Sequence, residues 1–206
     1  NRIALQSDMI GANILGIENI LFLSGDHTNT SENSKAKPVY DLDSAGMIKT
    51  ARLLETGFDL AGKKLQGVPS FCAGAVVNPS ARPIDLQIVM YGKKITAGAE
   101  FFQTQTVFDI QTYRDFYEKI KHFKIKTLAG ITLIKSPQFM SFLQKLPGVQ
   151  IPKEIQNRIN SAEDPLKEGI KICAQLIRDL QTFADGVHIM AIGMEEYIPE
   201  ILKDLD

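Results

Sequence analysis

Cysteine is scarce in this chain: its 206 residues contain two, Cys72 and Cys173. They stand far apart and form no CxxC pair. That excludes the disulfide framework of a small secreted domain and the paired spacing of a zinc site. Excess charge is also missing. Lys and Arg number 23 against 24 Asp and Glu, a net charge of −1, so the basic footprint of a nucleic-acid binder is absent. No apolar run approaches the ~20 residues that cross a bilayer, and no stretch reads as a secretory signal. GxGxxG, Walker A, HExxH and GxSxG do not occur. With 44% hydrophobic residues, the length suffices for one core, so a single cytoplasmic domain over residues 1–206 is expected.

What is present is alternation. Leu5, Met9 and Ala12 follow helical spacing and Gly16 suits a helix end. Asn19 to Leu23 is a short apolar run, read as a buried strand, and it leads to Ser24-Gly25-Asp26 and a polar loop. Asp43 or Ser44 caps a helix with Met47, Ile48, Ala51 and Leu54 on its apolar face. A strand is expected around Ser70 to Ala73, a helix over 83–94, and a strand over 100–104. Asp109 caps a helix carrying Tyr113, Phe116, Tyr117 and Ile120. Residues 127–133 read as a strand and 136–146 as a helix with Pro137 in its first turn. An inserted helix follows over 151–159. Asp164-Pro165 opens a long helix, 186–191 is the fifth strand, and a last helix spans 195–205.

Strand–helix alternation predicts an α/β fold with a parallel sheet. A doubly wound sheet can use five strands, but a (β/α)₈ barrel cannot close with five. The chain begins at Asn1, inside what reads as a helix. A barrel would therefore be represented by its last five βα units, without its first three strands.

Parallel barrels carry their sites where strands run out into loops. The polar groups there are Asp26 and His27, Asn78, Gln103 and Gln105, Thr132 and Lys135, and Glu195 and Glu196. Asp26 can accept hydrogen bonds from a heterocycle, or cap a turn. Alternation sends Gln103 and Gln105 to one side of their strand, where amides can read a polar ring edge or satisfy the interior. His27 is either a general acid–base group or an exposed loop residue. His122 reads as solvated and His188 as a core histidine. Lys94 either favours a helix C-terminus or neutralises a phosphate. The Tyr113, Phe116 and Tyr117 stripe reads as packing, and Cys72 as a buried, inert thiol.

Several stretches resemble the methylenetetrahydrofolate reductase family. They are residues 1–7, Ile17 through Asp26 with its Gly-Asp pair, residues 36–44, and Lys93 to Glu100 running into Gln103-Thr104-Gln105 and Phe108-Asp109. Gly130-Ile131 and Gly186-Val187-His188 follow in the same order. The resemblance implies a (β/α)₈ barrel holding FAD, reduced by NADH or NADPH. The flavin then passes hydride to methylenetetrahydrofolate in one-carbon metabolism. It implies Asp26 beside the flavin and pterin rings, where its charge stabilises the iminium form of the substrate. It further implies Gln105, with Gln103, on the folate. The cofactor residues implied are Ser24, Gly25, Asp26, Cys72, Asn78, Gln87 and Lys94, with no metal. The sequence departs from the family at Gly74, where many members carry tyrosine, and at Asn78, where many carry histidine. His27 follows the Gly-Asp pair where proline is commoner, and the family's first-strand glutamate has no counterpart here. Two alternatives stand beside the reductase: a pterin-binding methyltransferase barrel, and a non-catalytic subunit of a redox complex. Expected partners are a folate and either a second copy of the chain or an electron-transfer subunit, with neither nucleic acid nor membrane.

Overall fold

The computed structural model describes residues 1–25, 37–203 and 205. Asn1 caps α1 (Arg2–Ile14), its side-chain oxygen accepting the Ile3 and Ala4 N–H groups at 3.1 and 3.0 Å. Two donors that a helix start leaves unpaired are thereby satisfied. Then come β1 (Asn19–Phe22), α2 (Ser44–Leu54), β2 (Cys72–Val77), α3 (Ile84–Ala97), β3 (Phe101–Thr106) and α4 (Ile110–Ile120). After these come β4 (Lys126–Thr132), α5 (Pro137–Leu143), α6 (Lys153–Ser161), α7 (Pro165–Gln181), β5 (Gly186–Met190) and α8 (Ile198–Lys203).

The five strands form one sheet in the order β1-β2-β3-β4-β5, with β1–β2 and β4–β5 pairing in parallel. The fold is the α/β class that the alternation predicts. A doubly wound sheet reverses its strand order at a switch point, and this order contains no reversal.

Two compact units make up the chain: Asn1–Val76 with Met90–Phe101, and Val77–Val89 with Phe102–Asp206. In the first, Asp43 caps α2 by accepting the Gly46 N–H at 2.7 Å, and Met47, Ile48, Ala51 and Leu54 are all buried. Arg52, in the last turn of α2, is the knot of this unit. It donates to Gly98 O (2.6 Å) and Phe71 O (3.1 Å), and pairs with Glu55 at 2.8 Å and with Glu100. Glu55 in turn accepts the Phe71 N–H at 2.7 Å, and Glu100 the Ala73 N–H at 3.1 Å. Gly98 has φ of +111°, and a Cβ there would meet the Arg52 side chain. Glycine serves the turn twice, by conformation and by space.

Burial alone would raise the Glu100 pKa. The Arg52 hydrogen bond, the Ala73 N–H and the Arg52 charge together outweigh it and hold the carboxyl below its ordinary range. A carboxyl with a depressed folded-state pKa contributes stability that is present above its unfolded pKa and lost as pH falls through the folded value. Glu100→Gln is therefore expected to flatten part of the acid limb in thermal melts between about pH 3 and 7. A variant whose Tm follows the wild-type acid limb throughout would refute this.

In the second unit β4 and β5 pair from Leu128↔Gly186 to Thr132↔Met190. Asp164 caps α7, which buries eight residues, Gly169 to Leu180. Tyr113, Phe116, Tyr117 and Phe183 cluster with centroids 5.9 to 6.5 Å apart, the packing role read for that stripe. The Cys173 S–H points at Thr132 O (3.6 Å), and burial pushes its pKa up to about 12. It is an inert thiol.

Candidate functional site

Alternation along β3 decides which of its groups a ligand can meet. Phe102, Thr104 and Thr106 are buried, while Phe101, Gln103 and Gln105 share the half-buried face. The two glutamines thus lie on one side, as their spacing predicts. Gln105 Oε1 accepts the Thr106 N–H at 3.0 Å. This orients the amide, and its NH₂ carries no bond among the described residues. The strand is anchored to β4 beneath them: Thr104 Oγ1 accepts the Gly130 N–H at 2.9 Å, and the Val107 N–H donates to Gly130 O at 2.8 Å. Two amides on a fixed strand offer donors and acceptors to a polar ring edge.

Elsewhere in the second unit, Asn78 and Gln87 come together, with the Asn78 N–H 3.5 Å from Gln87 Oε1. The Asn78 amide is engaged on both sides, accepting the Ser80 N–H at 3.0 Å and donating to Pro147 O at 3.3 Å. His188 pairs across from Gly130 in β5, half-buried. His122, exposed in the 3-10 turn that follows α4, lies against the Phe123 ring in a tilted arrangement. The Lys135 ammonium lies 5.2 Å from the Phe139 ring centroid. Glu195 accepts the Gly193 N–H at 3.1 Å, and Glu196 is exposed.

In the first unit, Ser24 and Gly25 leave β1 exposed, and among the described residues nothing lies within 4 Å of where a Gly25 Cβ would stand. Asp26 and His27 lie outside the described residues. Lys94 is buried, and its Nζ donates to Val76 O at 2.7 Å. Burial lowers its pKa, with the Asp43 charge opposing. Cys72 opens β2, at the far end of that strand from Val77. Burial and then the Glu100 charge raise its thiol, and Arg52 partly offsets them.

Gly74 has a local cause that composition does not reveal. The Phe101 ring lies against it, and a Cβ at residue 74 would overlap three ring carbons. An aromatic from the neighbouring strand covers the glycine, so the tyrosine common in the resembling family has no room at this position. Gly74→Tyr is expected to cost about 1–3 kcal/mol as overpacking, and adding Phe101→Gly is expected to recover much of it. Equal denaturation midpoints for wild type and Gly74→Tyr would contradict this. Phe101 and the Asn78–Pro147 contact are the two features that sequence reasoning missed. Each joins residues distant in sequence, and no local pattern signals either.

Among the described residues no group of three His, Cys, Asp or Glu side chains stands as a metal site, and no helix is long and apolar enough to cross a membrane. A parallel sheet in chain order, alternating with helices, defines an α/β protein, and its paired amides lie on a half-buried strand face. The chain belongs to the methylenetetrahydrofolate reductase family, whose sequence model matches residues 1–206. A probable methylenetetrahydrofolate reductase (NADPH) of Caenorhabditis elegans is 28% identical over 94% of this chain. Methylenetetrahydrofolate reductase 2 of Schizosaccharomyces pombe is 22% identical over 92%. The chain spans 29% and 31% of those two proteins. Among solved structures, an uncharacterized protein from Clostridium thermocellum that binds two copies of 5-methyl-5,6,7,8-tetrahydrofolic acid is similar in fold. Its TM-score is 0.58 at 18% identity, over 91% of this chain and 70% of that one.

Proposed function

We propose that this chain is part of a (β/α)₈-barrel enzyme that reduces 5,10-methylenetetrahydrofolate to 5-methyltetrahydrofolate by hydride transfer, with FAD as cofactor and NADH or NADPH as reductant. Family membership supports the reaction class. The observation that carries the folate assignment is the shared face of Gln103 and Gln105 on β3. A pterin edge presents adjacent donors and acceptors, and two amides on one anchored strand match it. Unreversed strand order favours a barrel over a doubly wound sheet.

The residues present fit a flavin in part. The Ser24–Gly25 backbone is exposed among the described residues. Lys94 and Asn78 are committed to backbone carbonyls, so they support the strand ends rather than offer free groups. A bound flavin supplies hydride chemistry, while the protein supplies position and charge. Gln103 and Gln105 orient the pterin, and the family resemblance implies for Asp26 a negative charge that stabilises the cationic iminium formed as the methylene bridge opens.

The commitment of Lys94 and Asn78 also favours a second reading, a folate-binding barrel without flavin that serves methyl transfer or a redox complex. A visible spectrum of the full-length protein separates the two. A flavin spectrum bleached by NADH or NADPH, with methyltetrahydrofolate formed, is the expected result. A colourless full-length protein that binds 5-methyltetrahydrofolate would replace the reductase with the second reading.

A further inference from the structure

The connection between α5 and α6 is longer than a helix–helix turn requires, and it is closely packed. Helix α5 stops at Leu143, and the chain continues through i,i+3 bonds at Lys145 and Leu146 to Pro147. Val149 and Ile151 are buried, and Gln156 Nε2 donates back to Ile151 O at 2.7 Å. Pro152, Glu154 and Ile155 line one cleft with Phe108, Asp109 and Ile110, the residues that leave β3. In the sheet β3 lies between β2 and β4. The connection follows β4 and α5 in the chain, yet Pro147 is held by Asn78, on the loop that follows β2. The 144–155 segment therefore reaches from the loop after β2 to Phe108–Ile110, the residues that leave β3, and straps the exit of that strand.

One side chain holds its far end. Asn78 accepts the Ser80 N–H with its oxygen and donates to Pro147 O with its nitrogen, so both halves of the amide are used. Gly148 sits at φ +75°, and a Cβ there would overlap the Asn78 amide nitrogen. The strap approaches so closely because residue 148 has no side chain.

We propose that Asn78 is a positioning residue, latching the 144–155 strap over the exit of β3 and so fixing the Gln105 end of the folate site. The proposal rests on the folate reading above. Asn78→Asp is nearly isosteric and keeps the acceptor for Ser80, but it replaces the donor to Pro147 O with an anion facing a carbonyl. Gly148→Ala attacks the same contact from the other side.

The test uses the full-length protein. Hydrogen exchange of the 144–155 peptides and the Kd for 5-methyltetrahydrofolate are measured in wild type, Asn78→Asp, Asn78→Ala, Gly148→Ala and the double variant Asn78→Ala/Gly148→Ala. Each single variant is expected to speed strap exchange and to weaken folate binding by about tenfold, the loss of roughly one well-placed hydrogen bond. Exchange in α7 and β4 stays at wild-type rates. The double variant is expected to lose less than the sum, because removing the amide relieves its clash with the added methyl group. Unchanged strap exchange in Asn78→Asp would overturn the latch. Faster exchange with unchanged folate affinity would overturn the positioning role. A wild-type protein without folate affinity would sink the functional reading, and the positioning role with it, while the exchange data would still judge the latch.

Discussion

Asp26→Asn is expected to slow methylenetetrahydrofolate reduction by about 10²–10³-fold, the usual cost of removing one preorganised charge partner from a transition state. The substitution keeps the side chain's shape and removes its charge. On the proposed reductase reading the charge matters in one half of the reaction: the methylene bridge must open to an iminium cation before it can accept hydride, and an anion beside it would lower that barrier. Reduction of the flavin by NADH or NADPH builds no cation on the folate, so bleaching in the absence of folate is expected to slow far less. Stopped-flow measurement of the two half-reactions separates these effects. Equal rates of folate reduction in variant and wild type would remove Asp26 from the mechanism. Equal slowing of both halves would make it a flavin-binding residue instead.

Gly169→Ala is expected to be the most damaging small substitution in the second unit. Gly169 is buried in the first half of α7, and a methyl group there would overlap the carbonyl oxygen of Ile134. The obstacle is backbone, so no side-chain rotation relieves it. Either α7 lifts from the sheet or the Ile134 segment shifts. Lifting α7 would disturb Ile170, Cys173, Ile177 and Leu180, which are buried from the same helix. A loss of about 3 kcal/mol or more follows, at the upper end of the range for overpacked cores. In urea denaturation the midpoint falls, and a slope matching wild type would show that the unfolded state is unaltered. A midpoint within error of wild type would mean that this contact is looser than described.

Much of the fold can be read directly from the chain because its signals are local. Asp43, Asp109, Ser136 and Asp164 each stand before an apolar-periodic run, and each accepts a backbone N–H at the start of its helix. Where boundaries moved, a competing interaction moved them. β2 begins at Cys72 rather than Ser70. The Phe71 N–H and C=O are taken by Glu55 and Arg52, side chains that displace the ladder. The helix expected over 136–146 ends at Leu143, because the strap needs Pro147 and a positive φ at Gly148. The last helix is a 3-10 turn at Glu195–Tyr197 followed by α8.

The site divides along the same line. Gln103 and Gln105 are legible because a strand's period is two. Asn78 is legible as a polar residue at a strand end, but its partner Pro147 lies 69 residues away in sequence. Phe101 reads as an ordinary strand aromatic until its ring is found against Gly74. Spacing tells which residues share a face; it does not tell which loop that face will hold.

The unreversed strand order also bears on how the molecule comes to be folded. Each strand after the first pairs with the one made just before it, so no pairing requires a loop longer than one crossover to close. Parallel sheets are slow to form when their partners are distant in the chain, since closure entropy must be met before any contact rewards it. Here β2 finds β1 already synthesised, and β5 finds β4. Assembly can follow the ribosome unit by unit, and on the growing side of the sheet the unpaired edge at any moment is only that of the newest strand.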